Sequence, residues 1–290
     1  MNLSVLMILL IMIPNISFAD SSLSFTDQDL TRYKKSSDIT RPPESSAPSA
    51  NSVQRTDMLS ADRNKKPGSF EVPYKAYEGI ARRVIISVKF NDAETAPMLL
   101  DTGSPGMIIS YELADKLGLF RKDNARLITA VGGIGGTAPG IISIIDSVQI
   151  GEARDYFIPV TISASLSDHF EGLVGMDFMA NFSVKVDTRK KVVLFEEIPR
   201  QDNMPGGHDE EWWRITFYQF ATLRNDWMNI KKNLDAWINK QKNGQNLSGR
   251  DEVPALRSFV ESQCAEADKL FDKLNGYAIR NSVPMQWRKY

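Results

Sequence analysis

The chain has 290 residues, 42% of them hydrophobic, with 35 basic against 36 acidic side chains and a net charge of −1. That balance fits a globular protein and leaves no basic excess for nucleic acid, which is not expected as a partner. A single cysteine, Cys264, excludes any intramolecular disulfide, so the fold must rest on its apolar core.

Residues 1–19 carry no charged side chain, and Leu3 to Pro14 is apolar yet short for a membrane span. Ser17 and Ala19 are small residues at signal-peptidase spacing, and Asp20 follows. The segment 1–19 is read as a secretory signal peptide, with an uncleaved N-terminal anchor as the alternative. The expected location is the periplasm or the exterior. Residues 20–69 are polar, rich in Ser and Pro and poor in large apolar side chains. They are expected to form a disordered linker or propeptide-like segment.

From Phe70 the pattern turns to short strands. Val84 to Phe90 is β-branched and partly alternating, Asn91 to Thr95 reads as a turn, and Ala96 to Leu100 reads as the next strand. The stretch from Pro97 to Ser110 is P-M-L-L-D-T-G-S-P-G-M-I-I-S. An apolar run ends at Asp101, Thr102 and Gly103 supply a turn, and a second apolar run begins at Met107. A carboxylate is thus held at a strand-to-turn junction between hydrophobic walls. The Gly103 amide can approach it closely, and the Thr102 and Ser104 hydroxyls can donate nearby. Taken alone, D-T-G is also compatible with an ordinary Asp-Gly turn.

Tyr111 to Leu117 fits a short helix stopped by Gly118. Thr129 to Gly140, T-A-V-G-G-I-G-G-T-A-P-G, reads as a flexible hairpin tip; it lacks a P-loop lysine and no helix follows, which argues against a phosphate cradle. Ile141 to Ile150 and Tyr156 to Ile162 read as two strands around Gly151. Gly172 to Asn181 is G-L-V-G-M-D-F-M-A-N, a buried strand running into a turn at Gly175 and a short helix. Ser183 to Asp187 and Lys191 to Phe195 close the series.

The order of D-T-G and a later apolar-apolar-Gly motif, Leu173, Val174 and Gly175, resembles the single-domain retropepsin-like aspartic proteases. Bacterial members look much like G-L-[LV]-G-M-D-F-[LM], a spacing that continues here to Leu194, and the resemblance runs from about Val84 to Phe195. It implies a mainly β fold, a retropepsin-like closed β-barrel over 70–200, followed by a C-terminal α-helical hairpin over 208–290. It also implies an aspartic-type endopeptidase with no cofactor and no metal. Asp101 would be catalytic, with Thr102, Gly103 and Ser104 in support. Thr102 would bond across a two-fold axis, and Ser104 would orient the outer carboxylate oxygen. Gly132, Gly133, Ile134, Gly135 and Gly136 would form the flap over an extended peptide substrate, and Asp177 would have a structural role, capping the helix or bonding to the turn. The chemistry needs two carboxylates, and the chain has one D-T-G, since Asp187-Thr188-Arg189 lacks the glycine. The resemblance therefore implies a homodimer. A non-catalytic peptide-binding or dimerisation module on the same β fold is the alternative.

Two histidines stand far apart, and His208, beside Asp209 and Glu210, is expected at a solvated helix start. Cys264 is expected as a small core residue. From Trp213 to Trp237, aromatic and aliphatic residues recur every three or four positions, and Leu256 to Tyr277 repeats the pattern; an antiparallel helical pair follows. Its apolar stripe is expected to be buried, or else to serve as a partner surface.

Overall fold

The computed structural model describes residues 68–121, 123–133, 136–164, 166–198, 204–243 and 253–290. The expected signal peptide over 1–19, nearly all of the expected linker over 20–69, and Ile134 and Gly135 of the expected flap lie outside them.

Alternating burial in β1 (Ser69–Glu78) puts Phe70 and Val72 inward and their neighbours outward, the two-residue period of a strand with one face in the core. The first half of β1 pairs with β10 (Val192–Glu197), from Ser69↔Glu196 to Pro73↔Val192. Its second half pairs with β2 (Ala81–Phe90). β10 continues antiparallel to β9 (Phe182–Asp187). Phe70 stacks on Phe195 with centroids 5.3 Å apart, and Phe182 meets both edge-on, the offset and T-shaped geometries that aromatic quadrupoles favour.

Around this lie β3 (Glu94–Leu100), β4 (Met107–Ser110), α1 (Tyr111–Lys116), β5 (Leu127–Gly133), β6 (Gly136–Ile150), β7 (Ala153–Ser163), β8 (Gly172–Val174) and α2 (Met176–Met179). The strand order is β5-β6-β7-β4-β8-β3-β2-β1-β10-β9, and a β2–β6 pairing at Phe90↔Val148 joins the second strand back to the sixth. β2, β3, β8, β4, β7 and β6 thereby close into a ring. Val88, Phe90, Met98, Ile109, Ile145 and Ile162 fill it, each fully buried. The glycine-rich sequence around 132–140, read as a hairpin tip, lies in the β5–β6 hairpin; β6 runs unbroken from Gly136 to Ile150, pairing with β5 up to Ile142 and with β7 from Ile141 onward.

The C-terminal residues form α3 (Glu210–Asn243) and α4 (Val253–Arg280). The contacts Phe217–Phe271, Arg224–Asp268, Cys264–Trp227 and Arg257–Asp235 step in opposite directions along the two helices, so they are antiparallel. Trp213, Phe217, Phe220, Leu270, Phe271 and Leu274 share a second core with Leu127, Ile144 and Phe157 of the sheet. The aromatic stripe is therefore buried against the chain's own β5–β7 face. Trp287 is buried in the same core, and Arg288 donates to Ala278 O in the last turn of α4 and to Val283 O just beyond it, tying the C-terminal residues to the end of the helix. Among the described residues no helix is long and apolar enough to cross a membrane.

Candidate active site

Three residues organise the site. β8 lies between β3 and β4, parallel to the first at Leu99↔Leu173 and Leu100↔Val174, antiparallel to the second at Ile108↔Leu173 and Ile109↔Gly172. The two strands that flank D-T-G are thus held apart by Gly172–Val174, and the loop between them has a fixed span. The Asp101 amide donates to Val174 O at 3.0 Å, which fixes the residue at the end of β3. The Gly103 amide donates to Asp101 Oδ1 at 2.9 Å, and the Ser104 amide donates to Asp101 O at 3.2 Å. Among the described residues the carboxylate is oriented by backbone alone, and it remains partly open to solvent, beside exposed Thr102 and Gly103.

Ser104 is the exception to the sequence reading. Its side chain is buried, and its hydroxyl donates to Gly106 O at 2.7 Å rather than to the Asp101 carboxylate. The loop folds back under itself between Ser104 and Gly106, so the hydroxyl meets a carbonyl of its own turn first. Ser104 shapes the loop, while the orienting donor is the Gly103 amide.

Beneath the loop, Met176 N donates to Ser104 O at 2.8 Å and Asp177 N to Pro105 O at 3.0 Å. The Asp177 carboxylate accepts from Met107 N at 3.1 Å through one oxygen and from Phe178 N at 2.7 Å through the other. It ties the start of β4 to the start of α2. Burial pushes its pKa up to about 6, against the two amide bonds that favour the charged form, and the Asp155 charge adds to the rise. A carboxyl raised in the folded state contributes stability that is fully present below its unfolded value, near 3.8, and is lost as pH climbs through 6. The loss amounts to roughly 2–3 kcal/mol. Wild-type protein is expected to melt at a lower temperature at pH 7.5 than at pH 4.5. In Asp177→Asn this difference shrinks, measured as Tm against pH by circular dichroism. An unchanged slope would remove Asp177 as its source.

β5 and β6 form a hairpin whose register runs from Leu127↔Ile142 to Gly133↔Gly136. Gly132 and Gly136 are exposed near its end, and Gly136 adopts φ +109°, open to glycine at little cost. Gly133 closes the strand on the β5 side.

The other sequence candidates stand apart from this loop. Asp187 closes the β9–β10 turn, its Oδ1 accepting from Arg189 N and Lys190 N at 2.9 Å each, and these bonds lower its pKa. His208 is not solvated: its ring is buried, stacks on Trp212 at 3.6 Å and places Nε2 2.9 Å from Tyr156 O. The stacking partner four residues on, together with the sheet edge, covers the ring, and its charged sequence neighbours point elsewhere. The Cys264 thiol donates to Trp227 O, and burial pushes its pKa up, away from nucleophilic use. Among the described residues no cluster of three or more His, Cys, Asp or Glu side chains could hold a metal ion.

Residues 86–178 match the model of a family described as aspartyl protease. Among solved structures, a retropepsin-like aspartic protease from Rickettsia conorii is 20% identical over 46% of this chain and 92% of its own, with a TM-score of 0.36. EIAV protease complexed with the inhibitor HBY-793 is 18% identical over 36% of this chain and 91% of its own, with a TM-score of 0.27. No curated protein sequence matches the chain. The matched residues contain both the D-T-G loop and the Gly172–Asp177 segment that underpins it, so in this part the chain is similar to the aspartyl proteases.

Proposed function

We propose that the chain is an aspartic endopeptidase that acts as a homodimer, with Asp101 of each subunit facing its counterpart across a two-fold axis. The observation that carries this reading is the Asp101 loop: one carboxylate per chain, oriented by the Gly103 amide, left open to solvent and held on a span fixed by β8. One carboxylate cannot both accept a proton from water and donate one to a carbonyl, and two in contact share a single proton because both cannot ionise together. In the pair, one carboxylate takes a proton from water as its oxygen adds to the scissile carbonyl carbon. The other donates its proton to the carbonyl oxygen. The tetrahedral adduct then collapses, the C–N bond breaks, the nitrogen leaves protonated and the pair returns to one shared proton.

The surface near Asp101 supports a second copy. The register Tyr77↔Arg82 and Ile85↔Leu99 brings the β1–β2 turn to the Asp101 end of the sheet. There Ile80 is fully exposed and Tyr77 half exposed. The Glu78–Ser167 hydrogen bond joins this turn to the loop carrying exposed Leu166. Apolar side chains grouped in this way mark an interaction surface.

The test is cleavage of a mixed-sequence peptide library from acid to neutral pH, with mass measured by light scattering at each protein concentration. Specific activity is expected to fall on dilution in step with dissociation of the dimer. A dimer that binds peptides and cleaves none at any pH would make this a binding module. Activity that survives in monomers would overturn the shared-carboxylate mechanism.

A further inference from the structure

We infer that the C-terminal helical hairpin is the mount of the flap, and that Gln263 and Glu266 of α4 are positioning residues for its closure over peptide. The inference rests on the peptidase reading. β5 ends the strand order, so among the described residues one of its edges has no strand partner, and an edge strand presents alternate amides outward. Here α4 takes the place of the missing strand. Arg126 N donates to Glu266 Oε2 at 2.9 Å, and Ile128 N donates to Gln263 Oε1 at 2.8 Å. One turn further on, Lys273 Nζ donates to Asn124 Oδ1 at 2.9 Å and Lys269 Nζ to Asn124 O at 3.4 Å. A helical turn advances about 5.4 Å and two strand residues about 6.8 Å, so polar side chains of ordinary reach on one helix face can follow alternate strand residues.

Gln263 is buried within an otherwise apolar stripe. A buried amide in such a stripe weakens helix packing unless it is bonded, and its partner is the backbone of the hairpin. Leu127 is fully buried against the same helices. Beyond Thr129 the hairpin leaves this support: Gly136, Ala138 and Pro139 are exposed. The boundary between the held root and the open arm therefore falls at Ile128–Thr129, where the Gln263 bond sits. A flap pivots at its root, so the register and tilt of that root decide where the arm lands on substrate. Gln263 and Glu266 never reach the peptide; they act through β5.

The experiment compares full-length wild type with Gln263→Leu, Glu266→Ala and the acceptor-keeping Gln263→Glu and Glu266→Gln. Backbone exchange is followed by mass spectrometry beside peptide-cleavage kinetics. In Gln263→Leu and in Glu266→Ala, exchange over residues 126–131 is expected to quicken by about tenfold while α3 is unchanged. KM is expected to rise severalfold with a smaller change in kcat, and the acceptor-keeping variants to restore both. Glu266 is partly solvent-exposed, so its variant still reads the mount should Gln263→Leu fail to fold. Exchange that quickens across the whole chain, or a faster root with KM unmoved, would overturn the assignment. Should wild type cleave nothing, the peptidase reading fails by itself; the exchange pattern then still separates a held root from an unheld one.

Discussion

Asp101→Asn is expected to abolish peptide cleavage, by at least 10²–10⁴-fold on the scale of lost acid–base catalysis, roughly, while melting within a degree or two of wild type. Stability is spared because the amide oxygen of Asn accepts from Gly103 N as the carboxylate does, the residue-101 amide keeps Val174 O, and Asp101 joins no ion pair among the described residues. Activity is lost because an amide neither takes the proton of water nor shares one with a facing carboxylate. The sharper measurement mixes the variant with wild type at constant wild-type concentration. If each active centre is built from two subunits, an excess of Asp101→Asn draws wild-type chains into mixed pairs and activity per wild-type subunit falls toward zero. Activity untouched by the excess would show that each chain works alone, and the homodimer would have to be given up.

Much of the frame around this residue is legible in the sequence for local reasons. The strand over 84–90, the apolar runs either side of D-T-G, the stop at Gly118 and the helical periodicities of 213–237 and 256–277 all report on which side of an element faces the core, and burial follows them. What sequence reading misses depends on partners distant along the chain. Gln263 falls on the apolar stripe of α4 and reads as one more core position; its role appears only because Ile128, 135 residues earlier, points an amide at it. His208 reads as solvated from the acids beside it, and is covered instead by Trp212 and a carbonyl of β7. Ser104 reads as a neighbour of the carboxylate by adjacency, and the turn directs its hydroxyl to Gly106 O. β1 divides its length between β10 and β2, a change of partner that no period-two pattern records.

Gly175→Ala should unfold more easily than wild type by about 3 kcal/mol, a fall in Tm of roughly 6–12 °C for a domain of this size, and the folded fraction should cleave peptide on the order of 10²-fold more slowly. Backbone conformation is not the reason, since Gly175 adopts φ −95° and ψ −170°, open to any residue. The reason is space. A Cβ at this position would lie 2.3 Å from Gly106 O and 2.7 Å from Ser104 O, and both are main-chain atoms of the loop that carries Asp101. A flexible side chain could swing aside; a backbone bonded to Met176 N and Asp177 N cannot move without carrying the loop with it. The methyl group therefore either breaks these bonds or pushes the D-T-G turn away from β8, and a displacement of about 1 Å at a reacting carboxylate is enough to misalign it. Gly276→Ala in α4 is the control: its Cβ would meet only the Arg280 side chain, at 3.4 Å, and alanine in a helix should raise stability by up to about 1 kcal/mol. Should Gly175→Ala melt and cleave like wild type, the loop does not rest on β8 as tightly as these contacts require, and the rigidity assigned to Asp101 would need another source.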